Sequence, residues 1–127
     1  MKSAIIEVSI LKPFEEVLSV VRANIRAEGF LLLHEINTQE ILANHGITIG
    51  ELRQIFFFHP SYMVDILKND PLAVNEVPLK LVIRSTTREE THLSFPNPVA
   101  TMMDYNCDKA LAVELLKKIR SILEFAI

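Results

Sequence analysis

Between Ala4 and Leu11 the β-branched residues Ile5, Ile6, Val8 and Ile10 are interleaved with Glu7 and Ser9, a near-alternating pattern that predicts a strand. The period then changes. From Pro13 to Glu28 the apolar residues Phe14, Val17, Leu18, Val21 and Ile25 recur at helical spacing. Pro13 suits a helix start, where its missing N–H has no partner to lose. Glu15 and Glu16 lie in the first turn, where the helix dipole favours negative charge, and Gly29 is placed to end the helix in a left-handed cap. Phe30 to Ile36 predicts a second strand, and its consecutive Leu31, Leu32 and Leu33 imply that both faces are buried. Asn37 opens a short helix in which Glu40 can complete a capping box, and Gly46 closes it.

Leu52 to Phe58 is a third strand, again apolar front and back in Ile55-Phe56-Phe57-Phe58. His59-Pro60 breaks it and starts a helix that runs to about Asn69, with Met63, Ile66 and Leu67 as its inner stripe, and Asp70-Pro71 stops that helix. Leu79 to Thr86 and Thr91 to Phe95 are strands joined by the polar turn Thr87-Arg88-Glu89-Glu90, the pattern of a hairpin. Val99 to Tyr105 reads as a helical turn. The last helix runs from about Asp108 to Phe125 on the stripe Leu111, Leu115, Ile119, Ile122 and Leu123, with Lys117, Lys118 and Arg120 outside.

The order β-α-β-α-β-α-β-β-α predicts an α+β fold, a two-layer α/β sandwich with a mixed sheet of about five strands and helices mainly on one face. A doubly wound arrangement is the alternative, and the terminal hairpin argues against it. The 127 residues fit a single domain over 1–127, with no repeat or linker.

In such a fold helices cover one side of the sheet, and the other side should alternate to polar residues. The second and third strands do not alternate. Large exposed apolar patches are rare on monomers, so something is expected to cover that side. Three covers are open: a second copy of the chain, the segment Val99 to Tyr105 with Met102 and Met103, or an apolar ligand. The second copy leads, because closed symmetric dimers are the commonest oligomers.

Charge narrows the function. The formal net charge is −3, and the 13 Lys and Arg residues are scattered rather than clustered. Nucleic-acid binding needs clustered positive charge to displace counterions from phosphates, so that class is disfavoured. No apolar run approaches the ~20 residues of a membrane helix. The Met1-Lys2-Ser3-Ala4 start does not read as a signal peptide, which points to the cytoplasm. Cys107 is the sole cysteine, so no internal disulfide forms.

Candidate chemistry is sparse. The chain has only three Gly, no Gly-rich phosphate loop and no G-x-S-x-G elbow. Of the four His, none are paired at the spacing of a helical zinc site. His34 and Glu35 end the second strand and His59 precedes the third helix. If those strand ends converge, His34, Glu35 and His59 are the candidate ligand or metal residues, with zinc as the ion. Against that reading, His59 sits where its ring caps the following helix, and Glu35 can pair with a base such as Arg53 on the next strand. His45 and His92 read as solvated. Cys107 lies before the last helix, where a thiol can become reactive, but Asp108 beside it opposes the thiolate. No cofactor is expected.

Several turn and cap landmarks together resemble a known family: Gly29-Phe30, Glu35-Ile36-Asn37, Pro60, Asp70-Pro71, Val77-Pro78 and Pro96. Over nearly its whole length the chain is similar to the bacterial and archaeal "domain of unknown function 302" family. The resemblance implies a two-layer α/β fold that self-associates, and no established reaction. The family pattern carries Cys-Asn-Pro at the positions of Phe58-His59-Pro60 and Pro-Cys at those of Pro78-Leu79. Both cysteines are missing here, which implies that any thiol chemistry of the family is missing too. The leading expectation is a non-enzymatic homodimeric module that binds a small ligand or protein partner. The alternative is a metal-binding protein or metal-dependent enzyme using His34, Glu35 and His59.

Overall fold

The computed structural model describes residues 4–126. Within them the strands β1 (Ile5–Ile10), β2 (Leu31–Asn37), β3 (Leu52–Phe58), β4 (Leu79–Thr87) and β5 (Glu90–Pro96) form one sheet in the order β1-β5-β4-β3-β2. The helices are α1 (Phe14–Ala27), α2 (Thr38–Ala43), α3 (Pro60–Asn69), α4 (Pro98–Thr101) and α5 (Lys109–Ile122), with 3-10 turns at Pro71–Glu76 and Glu124–Ala126.

The expected two layers and element order are present, but the sheet is antiparallel throughout rather than mixed. The reason is where α1 delivers the chain. β1 and β2 point the same way, and a crossover helix between sheet neighbours would have made them a parallel pair. Here α1 spans the whole sheet, so β1 and β2 occupy opposite edges with three strands between them.

The local signals act as their chemistry requires. Gly29 adopts φ +86°, and the N–H of Phe30 reaches back to the Ile25 carbonyl at 3.1 Å, closing α1 in a left-handed cap. The Asn37 side chain accepts from the Glu40 N–H at 3.0 Å at the head of α2, while its amide donates to the Glu40 carboxylate at 3.4 Å. His59 caps α3, its Nδ1 accepting from the Ser61 N–H at 3.2 Å.

Val17, Leu18, Val21 and Ile25 of α1 and Leu115, Ile119 and Ile122 of α5 pack on Ile55, Phe57, Leu81, Ile83, Leu93 and Phe95 of the sheet, and all are buried. Phe30 meets Phe57 edge-on at 5.2 Å. The segment from Val99 to Tyr105, considered as a lid for the far side of the sheet, lies with the helices instead. Met102 is buried in the same core, and α4 packs beside α5. Its short length and its position right after β5 send it onto the face that α5 already covers.

Candidate functional site

Register decides which side chains share the helix-free face. Ile55 pairs with Leu81 and Ile83 with Leu93, and these point into the core. The alternate positions point away. They form three cross-strand rows: His34, Phe56 and Lys80; then Ile36, Gln54, Val82, Ser94 and Glu7; then Leu52, Arg84, His92 and Ser9. Phe58 lies opposite Leu31 at one end.

This face has two halves. On β2, β3 and part of β4, Leu31, Ile36, Leu52, Phe56, Phe58 and Val82 lie apart from the buried core, and Leu31 is 49% exposed. On β4, β5 and β1 the same face carries Lys80, Arg84, His92 and Glu7. The His92 Nε2 lies 3.0 Å from a Glu7 carboxylate oxygen, while the buried His92 Nδ1 has no partner.

The apolar strands expected from the sequence therefore resolve into two sets. Leu32 and Phe57 face the helices, and Phe57 is fully buried. Their neighbours Leu31, Phe56 and Phe58 face outward. A β-bulge between Leu32 and His34 complicates the pattern on β2. Strict alternation would put Leu32 and His34 on the same side. The extra residue at the bulge reverses the parity, so His34 turns outward and Glu35 inward.

The three candidate residues consequently face three ways. His34 is exposed on the open face, its ring stacked near Phe56 at 6.4 Å. Glu35 turns to the helix side and is held by Arg22 of α1, through bonds of 2.6 and 2.7 Å. The Arg22 hydrogen bonds hold this carboxyl below the usual carboxylate range, with smaller help from Arg53 and Arg26, and partial burial opposes them. Arg53, the partner suggested by the sequence, pairs instead with Glu51 at 3.3 Å and lies over the Phe14 ring at 5.3 Å. His59 sits at the end of β3, edge-on to Phe30 at 5.5 Å and 4.9 Å from the Tyr62 ring. Its Nδ1 is also 2.7 Å from the Ser61 hydroxyl. Among the described residues no group of three His, Cys, Asp or Glu side chains is placed to hold a metal ion.

With this geometry in view, a family model described as "Domain of unknown function DUF302" matches residues 6–126. The chain belongs to that family. A crystal structure of an uncharacterized conserved protein DUF302 from Bacillus stearothermophilus has the same fold. It superposes with a TM-score of 0.86 over 98% of each chain, at 19% identity. No curated protein matches the chain.

Two further features of this DUF302 domain escaped sequence reasoning. The Tyr62 hydroxyl donates to Glu114 of α5 at 3.2 Å, and burial and that carboxylate both push the phenol up. The Tyr105 hydroxyl donates to Glu76 at 2.7 Å. Both pairs join residues far apart in sequence, so no spacing announces them. Burial also raises the Cys107 thiol, and Asp70 and Asp108 add to the effect. Asp108 was visible in the sequence as an opposing charge; Asp70 reaches the thiol only through the fold.

Proposed function

We propose that this DUF302 chain is a non-enzymatic cytoplasmic module that works as a homodimer, with the open sheet face as its contact surface, and that the dimer binds a small ligand or a protein partner. One observation carries the reading: Leu31, Ile36, Leu52, Phe56, Phe58 and Val82 lie on one side of the sheet and outside the core that the helices cover. Removing apolar surface from water is worth roughly 25 cal/mol per Å², which makes such a face adhesive.

A second copy is the occupant that suits this face. A two-fold axis sets a surface against itself, so an isologous interface must be self-complementary. This face supplies apolar area together with both signs of charge, Glu7 against Lys80 and Arg84. A polyanion finds Glu7 in its way and no cluster of bases.

The test is the mass of the protein in solution. Light scattering on tag-free protein at micromolar concentration is expected to give twice the chain mass. Phe56→Asp should give the chain mass with the helical and strand signature intact. A wild-type monomer under these conditions overturns the reading. The alternative, a metal-dependent protein built on His34, Glu35 and His59, rests on residues that face three ways. Stoichiometric zinc in tag-free protein, lost in His59→Ala, would support it.

A further inference from the structure

Away from the open sheet face, Met102, Met103 and Cys107 line one open cavity of about 300 Å³ beside α4 and α5, together with Val99, Tyr105, Lys109 and Ala112. We propose that this cavity is a binding site for a soft monovalent metal ion, copper(I), held by the Cys107 thiolate and the thioethers of Met102 and Met103.

The argument is one of donor chemistry. Thiolate and thioether ligands are soft and polarizable, and they select copper(I) over the hard or borderline ions that oxygen and imidazole prefer. The sole cysteine and two of the four methionines converge on this one cavity, within a six-residue stretch of chain. Met63 lies elsewhere, on α3. The cavity wall is otherwise mostly apolar, which suits a low-charge metal–thiolate unit and not a hydrated divalent ion. No carboxylate or imidazole lines it.

The fold also gives the three donors different freedom. Met102 is fixed in the core, 3% exposed, whereas Met103 is 77% exposed on the adjoining turn. Cys107 is half-buried between them and the start of α5. Binding replaces the thiol proton: the S–H bond breaks, an S–Cu bond forms, and one proton leaves to solvent. Copper stays in the +1 state, so no oxidant or reductant is consumed. Lys109 also lines the cavity.

The experiment is an anaerobic titration of the full chain with copper(I), using a coloured copper(I) chelator as competitor, with silver(I) as a redox-inert second probe. The expected result is one equivalent bound, about one proton released, and protection of Cys107 from alkylation. Cys107→Ser should abolish chelator competition. Met103→Leu, at an exposed position that the fold does not need, should weaken binding at least tenfold, while Met63→Leu leaves it unchanged. Failure of both ions to compete with the chelator overturns the site. So does binding that is indifferent to Met103→Leu and Met102→Leu, which would reduce it to a solitary thiol.

Discussion

The Arg22 guanidinium meets the Glu35 carboxylate with two nitrogens, Nε to Oε2 at 2.6 Å and Nη2 to Oε1 at 2.7 Å, and so ties α1 to the edge strand β2. The pair exists because the bulge before His34 turns Glu35 to the helix side. Two parallel bonds make it stronger than an ordinary surface ion pair, although Arg22 remains 38% exposed and is screened accordingly. We expect Glu35→Gln and Arg22→Ala each to lower stability by about 1 kcal/mol at neutral pH. Glu35 ionises more readily in the folded chain than in the unfolded one, so its contribution is complete at neutral pH. It fades as pH falls through and below the ordinary carboxylate range. Urea unfolding of wild type and Glu35→Gln at neutral and acid pH checks this: the gap between them should close in acid.

Phe56 and Phe57 are neighbours with opposite surroundings. Phe57 is fully buried against the helices, and Phe57→Ala should cost about 3–5 kcal/mol through lost contacts and the cavity left behind. Phe56 lies on the open face. Its truncation to Ala should cost little in a dissociated chain and more as protein concentration rises, because association stabilises the folded state by mass action. Thermal melts over a hundredfold concentration range separate the two. A Phe56→Ala effect independent of concentration would count against a contact there.

His59 caps α3 through Nδ1. His59→Ala leaves the Ser61 N–H without that acceptor and should cost about 1 kcal/mol, while His59→Asn, a good capping residue, should recover most of it. Chemical denaturation of the two variants decides the point: equal losses in both would mean that ring packing on Phe30 and Tyr62 matters more than the cap.

Gly29 combines two constraints. Its φ of +86° disfavours any side chain, and an added Cβ would lie 3.0 Å from the His59 Nε2. Gly29→Ala should therefore destabilise by about 1–2 kcal/mol. In the Gly29→Ala, His59→Ala double variant the steric part is relieved and the backbone part remains, so the combined loss should be smaller than the sum of the single losses. Strict additivity in a denaturation cycle would show that the ring does not feel the new methyl group.

The caps and stripes were legible from residues alone. Gly29 and Gly46 take positive φ, Asn37 and His59 cap their helices, and Asp70-Pro71 ends α3, all at the expected places. These features depend on a residue and its neighbours within a turn, and the chain states them locally. The candidate site was less legible. His34, Glu35 and His59 sit close in the predicted order of elements, yet a single bulge sends the first two to opposite faces. Glu35 finds Arg22 rather than Arg53 because α1 packs over β2.

The sequence by itself determined the order and kind of the elements, the turns between them and the excess of apolar residues on β2 and β3, because periodicity, propensity and capping act over a few residues. Tertiary structure alone decided that β1 and β2 stand at opposite edges, that the sheet is antiparallel throughout, and that the Met102 segment joins the helical layer. It also decided which Phe faces outward and that Met102, Met103 and Cys107 line one cavity. Those outcomes depend on strand pairing and on a one-residue shift in register, and a shift of one residue reverses every face without altering the local pattern.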